Sequence, residues 1–156
     1  MDEKKLLKYA VDYLSKYDSS KVNLINVLKR KILRLKTTNY EKRKLINIIE
    51  SIITKLEKNK FIDDNRYSST KILSLSNSGK SKNFIFNYLI KKGVNKTQIQ
   101  NNLNLMKQDN DDWELQSAKI FAKKKKLLEK DQSYEKNLAK MARAGFSYDI
   151  CKKILG

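Results

Sequence analysis

Gly79-Lys80-Ser81 closes the stretch "SLSNSGKS" (Ser74–Ser81) and carries the residue types of a loop that wraps nucleotide phosphates. Glycine would free backbone amides, the lysine would meet phosphate, and the hydroxyl would meet magnesium. The spacing fails upstream. That loop needs a glycine five residues before Gly79, where Ser74 stands, and a preceding strand, where the apolar pattern is helical. Gly79 therefore reads as a turn between two helices, leaving Lys80 to meet a phosphate from outside.

Two acidic pairs invite a metal reading. Asp63-Asp64 in "FIDDNRY" follows Phe61 and Ile62, which finish one stretch of core, and precedes a helical pattern. One of the two carboxylates is expected to cap that helix, whose N-terminal end favours negative charge. "DNDDWE" (Asp109–Glu114) lacks the glycine and spaced ligands of a calcium loop and reads as a junction with a cap. With no histidine and only Cys151, the common zinc sites, Ser-His-Asp triads and Cys-His dyads have no residues to build them. We expect no catalytic residue, no cofactor and no metal.

What the chain has in excess is positive charge: 35 basic against 17 acidic residues, a formal +18. A polyanion is the partner this suggests, although enrichment in Lys, Asn and Ile without proline is also what AT-rich coding produces. The basic positions singled out are Lys29, Arg30 and Lys31, Lys91 and Lys92, the run Lys123, Lys124, Lys125 and Lys126, and Lys80, Lys82 and Arg143. Lysines present compact charges suited to non-specific phosphate contact rather than base reading. "KTQIQNN" (Lys96–Asn102) adds amides able to contact adenine, and Gly93 and Ile99 are spaced as in helix-turn-helix proteins. Leu89 stands where that motif packs a small residue, which favours a simple helical hairpin. Most aromatic residues fall on apolar faces, with Tyr134 and Tyr148 expected at the surface.

The elements that must position these groups are helices. Apolar residues recur at i, i+3, i+4 and i+7, as in Leu6, Ala10, Tyr13, Leu14 and Tyr17, and no stretch alternates over a strand's length. The sequence also repeats. "LIKKGVNKTQIQNNL" (Leu89–Leu103) aligns with "MARAGFSYDICKKIL" (Met141–Leu155), pairing Gly93 with Gly145 and Ile99 with Cys151. Gly93 and Gly145 sit where a left-handed residue ends one helix, and Asn95 and Ser147 where the next begins. A weaker copy pairs "NLINVLKRK" (Asn23–Lys31) with "LINIIESII" (Leu45–Ile53), losing the glycine and gaining the Lys-rich insertion "ILRLKTTNYEKR". That insertion either extends a helix or forms a basic loop. The expected fold is all-α, with three tandem three-helix units (1–61, 62–108 and 109–156) forming an elongated, curved helical-repeat array. A charged amphipathic N-terminus and no apolar run of membrane length point to a cytoplasmic protein away from membranes.

The motifs "KNKFIDDNRYSSTKI" (Lys58–Ile72), "GKSKNFIFNYLIKKGV" (Gly79–Val94) and "RAGFSYDICKKIL" (Arg143–Leu155) resemble those of the RecX family, regulators of the RecA recombinase. The resemblance spans 58–156, while the insertion and the missing glycine set 1–57 apart. It implies a monomeric, non-enzymatic helical protein that lies along the groove of the RecA–DNA filament and restrains strand exchange and ATP hydrolysis. The basic residues named above are the candidates to contact RecA and DNA phosphates, and Asp63, Asp64, Gly79, Gly93 and Gly145 serve as caps and turns. A stand-alone basic DNA-binding protein of helix-turn-helix or architectural type is the alternative.

Overall fold

Short polar side chains set where the helices begin. α1 (Glu3–Lys16), α2 (Lys21–Leu33) and α3 (Asn39–Asn47) start behind Asp2, Ser20 and Thr38, whose side chains accept from Lys5, Asn23 and Glu41 backbone N–H groups. α4 (Ile49–Lys58) follows α3 after the single residue Ile48. α5 (Asp64–Asn77) begins at Asp63, whose carboxylate accepts from Asn65 and Arg66 N–H at 2.9 and 3.1 Å. α6 (Lys82–Lys91) begins at Ser81 and α7 (Lys96–Asp109) at Asn95. α8 (Trp113–Lys124) has Asp112 at its cap position but no side-chain cap. α9 (Tyr134–Arg143) and α10 (Tyr148–Leu155) begin at Ser133 and Ser147. Each such cap contributes about 1 kcal/mol by satisfying an otherwise orphaned N–H. The computed structural model describes residues 1–129 and 133–156, and among the described residues all regular elements are helical. The absent cap at Asp112 departs from the expectation for "DNDDWE".

The helices form two compact units, residues 1–67 with 92–94, and residues 68–91 with 95–156. In the first, Leu6 and Ala10 of α1, Leu24, Leu28 and Ile32 of α2, and Ile49, Ile52, Ile53 and Leu56 of α4 share one core with Leu45 and Ile62. The insertion gives a loop followed by an additional helix, so that residues 1–61 hold four helices, α1–α4, where three were expected. α2 stops at Leu33, a loop follows, and Thr38 caps the extra helix α3. The expected single helix over 45–53 is broken at Ile48, where the ladder tightens and Ile48 N–H donates to the Leu45 carbonyl, three residues back. Phe61, expected in the core, is 51% exposed, and Ile62 alone is buried there.

In the second unit, Ala118, Ala122 and Leu127 pack with Met141, Phe146 and Cys151. Cys151 is buried, as its alignment with Ile99 implied, and burial pushes its thiol up. The run Lys123–Lys126 is not a helical turn. α8 ends at Lys124, and Lys126 takes a left-handed conformation at φ 58°, so that Leu127 N–H returns to the Ala122 carbonyl and its side chain re-enters the core. This is the same helix stop that Gly145 makes at φ 97°, with Phe146 N–H donating to Met141.

Asp63 and Asp64 serve two different helices. While Asp63 caps α5, the Asp64 carboxylate accepts from Lys21 N–H at 2.8 Å, at the start of α2. Burial is the main cause that raises the Asp64 carboxyl above its ordinary value, with the Lys21 hydrogen bond pulling the other way. The folded chain thus holds this proton more tightly than the unfolded chain does. The associated stability is fully present below the unfolded value of 3.8 and is lost as pH rises through the folded value. Asp64→Asn keeps an acceptor for Lys21 without the buried charge. It is expected to raise the thermal midpoint at pH 7 and to flatten its dependence on pH above 3.8. A lower midpoint at pH 7 would show instead that the helix start needs the negative charge.

Candidate nucleic-acid interface

α6 reads "KNFIFNYLIK", apolar nearly all round, and its packing decides which residues reach the surface. Ile85 and Leu89 are fully buried, which fixes the inner face. Phe84, one residue away, is therefore turned outward and is 40% exposed, with Tyr88 one turn later. Their rings stack at 6.4 Å between centroids and 21° between planes. Cations surround them: Lys80 Nζ lies 4.6 Å from the Phe84 ring centre and Lys71 Nζ 6.0 Å from that of Tyr88. The negative ring faces attract those ammonium groups and hold the flexible chains over the surface.

Lys91 and Arg143 complete the patch. They line a cleft of about 300 Å³ with Asn83, Phe84, Asn87 and Tyr88, and its floor includes Gly145. Arg143 also borders a second cleft of about 390 Å³ with Phe121, Lys125 and Lys140. Two contacts tie α6 to the turn before α10. Ser81 Oγ donates to the Ala144 carbonyl at 2.7 Å, and Asn83 Nδ2 donates to the Gly145 carbonyl at 3.2 Å. The exposed Phe84 and half-buried Tyr88, set among cations, offer what a single strand needs, since bases stack while phosphates meet ammonium and guanidinium groups.

The other basic candidates are distributed as follows. Lys80 approaches Phe84 as described, and Gly79 before it has φ 90°, so Gly-Lys-Ser is a helix-helix turn ending in the Ser81 cap. Lys82 is exposed, and its backbone N–H donates to Glu114. Lys123, Lys125 and Lys126 are exposed, while Lys124 Nζ donates to the Ser78 carbonyl at 3.0 Å. Lys29 and Arg30 are exposed in the first unit, and Lys31 is half-buried with Nζ 5.0 Å from the Tyr9 ring centre. Lys92, also of the first unit, is half-buried and its carbonyl accepts from Ser20 Oγ. Lys91, Lys80 and Arg143 are thus brought to one surface of the second unit. Tyr134 and Tyr148 are exposed, as expected.

Sequence reasoning missed Phe84 and Tyr88 as surface groups and did not single out Lys71. The available signal was the apolar crowding of "FIFNYLI", where one face must be left out of the core, although spacing alone does not say which.

No family model matches the chain. It is 30% identical over 154 residues to the regulatory protein RecX of Myxococcus xanthus (strain DK1622), an alignment covering 94% of this chain and 81% of that one. Among solved structures it is similar to the crystal structure of RecX from Lactobacillus salivarius, with a TM-score of 0.70 and 22% identity over 97% of this chain and 93% of that chain. A second crystal structure of regulatory protein RecX matches with a TM-score of 0.69 and 22% identity, covering 96% of this chain and 70% of that chain.

Proposed function

The chain belongs to the RecX family, and from that premise we propose that it is a non-enzymatic regulator of RecA that binds the RecA–DNA filament groove and restrains strand exchange and ATP hydrolysis. The observation that carries this reading is the relationship to a RecX regulatory protein over nearly the whole chain. The cationic surface around Phe84 and Tyr88 supports an auxiliary contact with DNA phosphates. Of the acids singled out in the sequence, Asp63 and Asp64 are committed to helix starts, Asp63 to α5 and Asp64 to α2.

A repeated helical arrangement fits this role, because a repeated unit can meet successive subunits of a polymer; α5–α7 and α8–α10 are each a set of three helices, and residues 1–61 hold four, α1–α4. Basic residues close α2, α6 and α9, in the last turns that hold Arg30 and Lys31, Lys91, and Lys140 and Arg143. Their charge favours the negative helix ends they occupy, and the exposed ones, Arg30, Lys91, Lys140 and Arg143, can also face phosphates. Acting as a monomer in the cytoplasm, the protein needs no cofactor for this work.

The test is RecA ATPase and strand exchange on single-stranded DNA with increasing amounts of the protein. Both rates are expected to fall as it approaches stoichiometry with RecA, and unchanged rates would sink the proposal. The second reading, a stand-alone DNA-binding protein, draws on the Phe84–Tyr88 surface alone. Strong preference for one duplex sequence over random duplex, with no effect on RecA, would favour it.

A further inference from the structure

α6 and α9 share a register but not a chemistry. Ser81 caps α6 and Ser133 caps α9, each hydroxyl accepting from the N–H three residues on, that of Phe84 and that of Lys136. Counted from those caps, the fourth and eighth residues are buried in both helices, Ile85 and Leu89 in α6, Asn137 and Met141 in α9. The third, seventh and tenth share one outer face. On α6 that face carries Phe84, Tyr88 and Lys91, whereas on α9 it carries Lys136, Lys140 and Arg143, all three exposed. Lys140 and Arg143 line the cleft of about 390 Å³ together with Phe121 and the exposed Lys125 from the end of α8, and among the described residues no carboxylate lines it. The half-buried Phe121 ring packs against Phe146 at 5.5 Å between centroids, which leaves the cations to supply the chemistry.

We propose that the outer face of α9 is a phosphate track for single-stranded nucleic acid, receiving the backbone of a strand whose bases stack at Phe84 and Tyr88. Arg143 is the joint, because it lines both this cleft and the one beside those rings. From Arg143 the strand runs to Lys140 and then to Lys136, with Lys125 on the other wall. Seven residues separate Lys136 from Arg143, about 10 Å along the helix, which is about three nucleotides at about 3.4 Å each. Lysine ammonium groups meet phosphates without reading bases, so the track carries no sequence preference.

Two observations select a strand as the occupant. The charged lining of the cleft is wholly cationic among the described residues, which calls for an anion repeated at short intervals. The cleft is also continuous, through Arg143, with a stacked aromatic pair, which calls for a free π face. A duplex keeps its base faces inside and cannot use the rings, and an acidic peptide brings the charge without a base. The inference rests on the single-strand contact of the proposed function and extends it to Lys136 and Lys140. It does not involve RecA, so naked oligonucleotides test it and the RecA assays test regulation separately.

The experiment is fluorescence anisotropy of the full chain with labelled thymine oligonucleotides of about 5 and about 15 nucleotides, titrated against salt. Lys136→Ala with Lys140→Ala is expected to weaken binding of the longer strand about tenfold and to lower its salt slope by about 1.4, two phosphate contacts at about 0.7 each. The shorter strand fills only the cleft at Phe84 and Tyr88 and should bind this variant as it binds the unaltered chain. The thermal midpoint should hold, since alanine favours an exposed helix, and Lys136→Arg with Lys140→Arg should keep the full affinity. If neither length responds to the α9 variant while Lys91→Ala with Arg143→Ala weakens both, the track is overturned and the contact at the rings stands. An equal loss with Lys29→Ala and Arg30→Ala would overturn it as a field effect of net charge. An equal loss on a duplex of the longer length would overturn it by giving α9 to duplex phosphates, and polyglutamate that displaces the strand as well as an unlabelled strand of equal charge would give α9 to an acidic peptide.

Discussion

Gly93→Ala is expected to destabilise the first unit by about 3 kcal/mol, measured by denaturant unfolding followed by circular dichroism. Two costs combine. Gly93 has φ 80°, and a side chain in that left-handed region costs about 1–3 kcal/mol. An added Cβ would also stand 2.4 Å from Val22 Cβ and 2.6 and 2.8 Å from its two γ carbons. Overpacking of that kind costs about 1–3 kcal/mol, because a β-branched side chain on α2 has no torsion that moves its Cβ away. Val22 is 41% exposed, so Val22→Gly removes the obstacle at the modest cost of a glycine in a first helical turn. In the double variant the steric part should be recovered and the backbone strain should remain. A single Gly93→Ala effect below about 1 kcal/mol would show that the α6–α7 turn can rearrange, and the close approach to α2 would then lose its structural role.

Gly145 shows the same device with a different obstacle. There the added Cβ would meet the Ser81 hydroxyl at 2.5 Å, a flexible group that can swing aside. Swinging aside would release both the cap on α6 and the hydrogen bond to Ala144, so the substitution acts on the start of the helix that carries Phe84 and Tyr88.

Both glycines were legible because a left-handed helix stop is a local event with a residue type that marks it. Asn95 and Ser147 were legible for the same reason, as short polar groups at the next helix start. Lys60 and Lys126 take the same conformation at φ 60° and 58°, and nothing about lysine announces it. For Lys126 the cause lies one residue later, in Leu127, whose burial draws the chain back over the end of α8. The break at Ile48 lets Leu45 before it and Ile49, Ile52 and Ile53 after it reach the same core, a demand that spacing within the run does not announce. The candidate interface was half legible. Lys80, Lys91 and Arg143 were visible as charges, whereas the exposure of Phe84 depends on Ile85 and Leu89 winning the buried face. In a segment with an apolar residue on every side, that outcome is decided by packing, which periodicity does not encode.

Lys91→Ala combined with Arg143→Ala should weaken single-stranded DNA binding about tenfold or more near physiological salt and make it less sensitive to salt. The argument is one of counterion release: each phosphate neutralised on a single strand contributes about 0.7 to the slope of log affinity against log salt. Removing two contacts should therefore reduce the slope by about 1.4. Lys91 and Arg143 are exposed and line one cleft, so their loss should cost little stability beyond the few tenths of a kcal/mol that cations contribute at helix C-termini. Lys29→Ala with Arg30→Ala, also exposed but in the first unit, is the matched comparison with the same change in net charge. A general field effect of the +18 chain would make the two pairs equivalent. If instead the Lys91–Arg143 pair alone changes the slope, phosphates are met at the stacked aromatic surface. An unchanged slope in that variant would remove this surface from the DNA contact and leave the excess lysine as a property of composition.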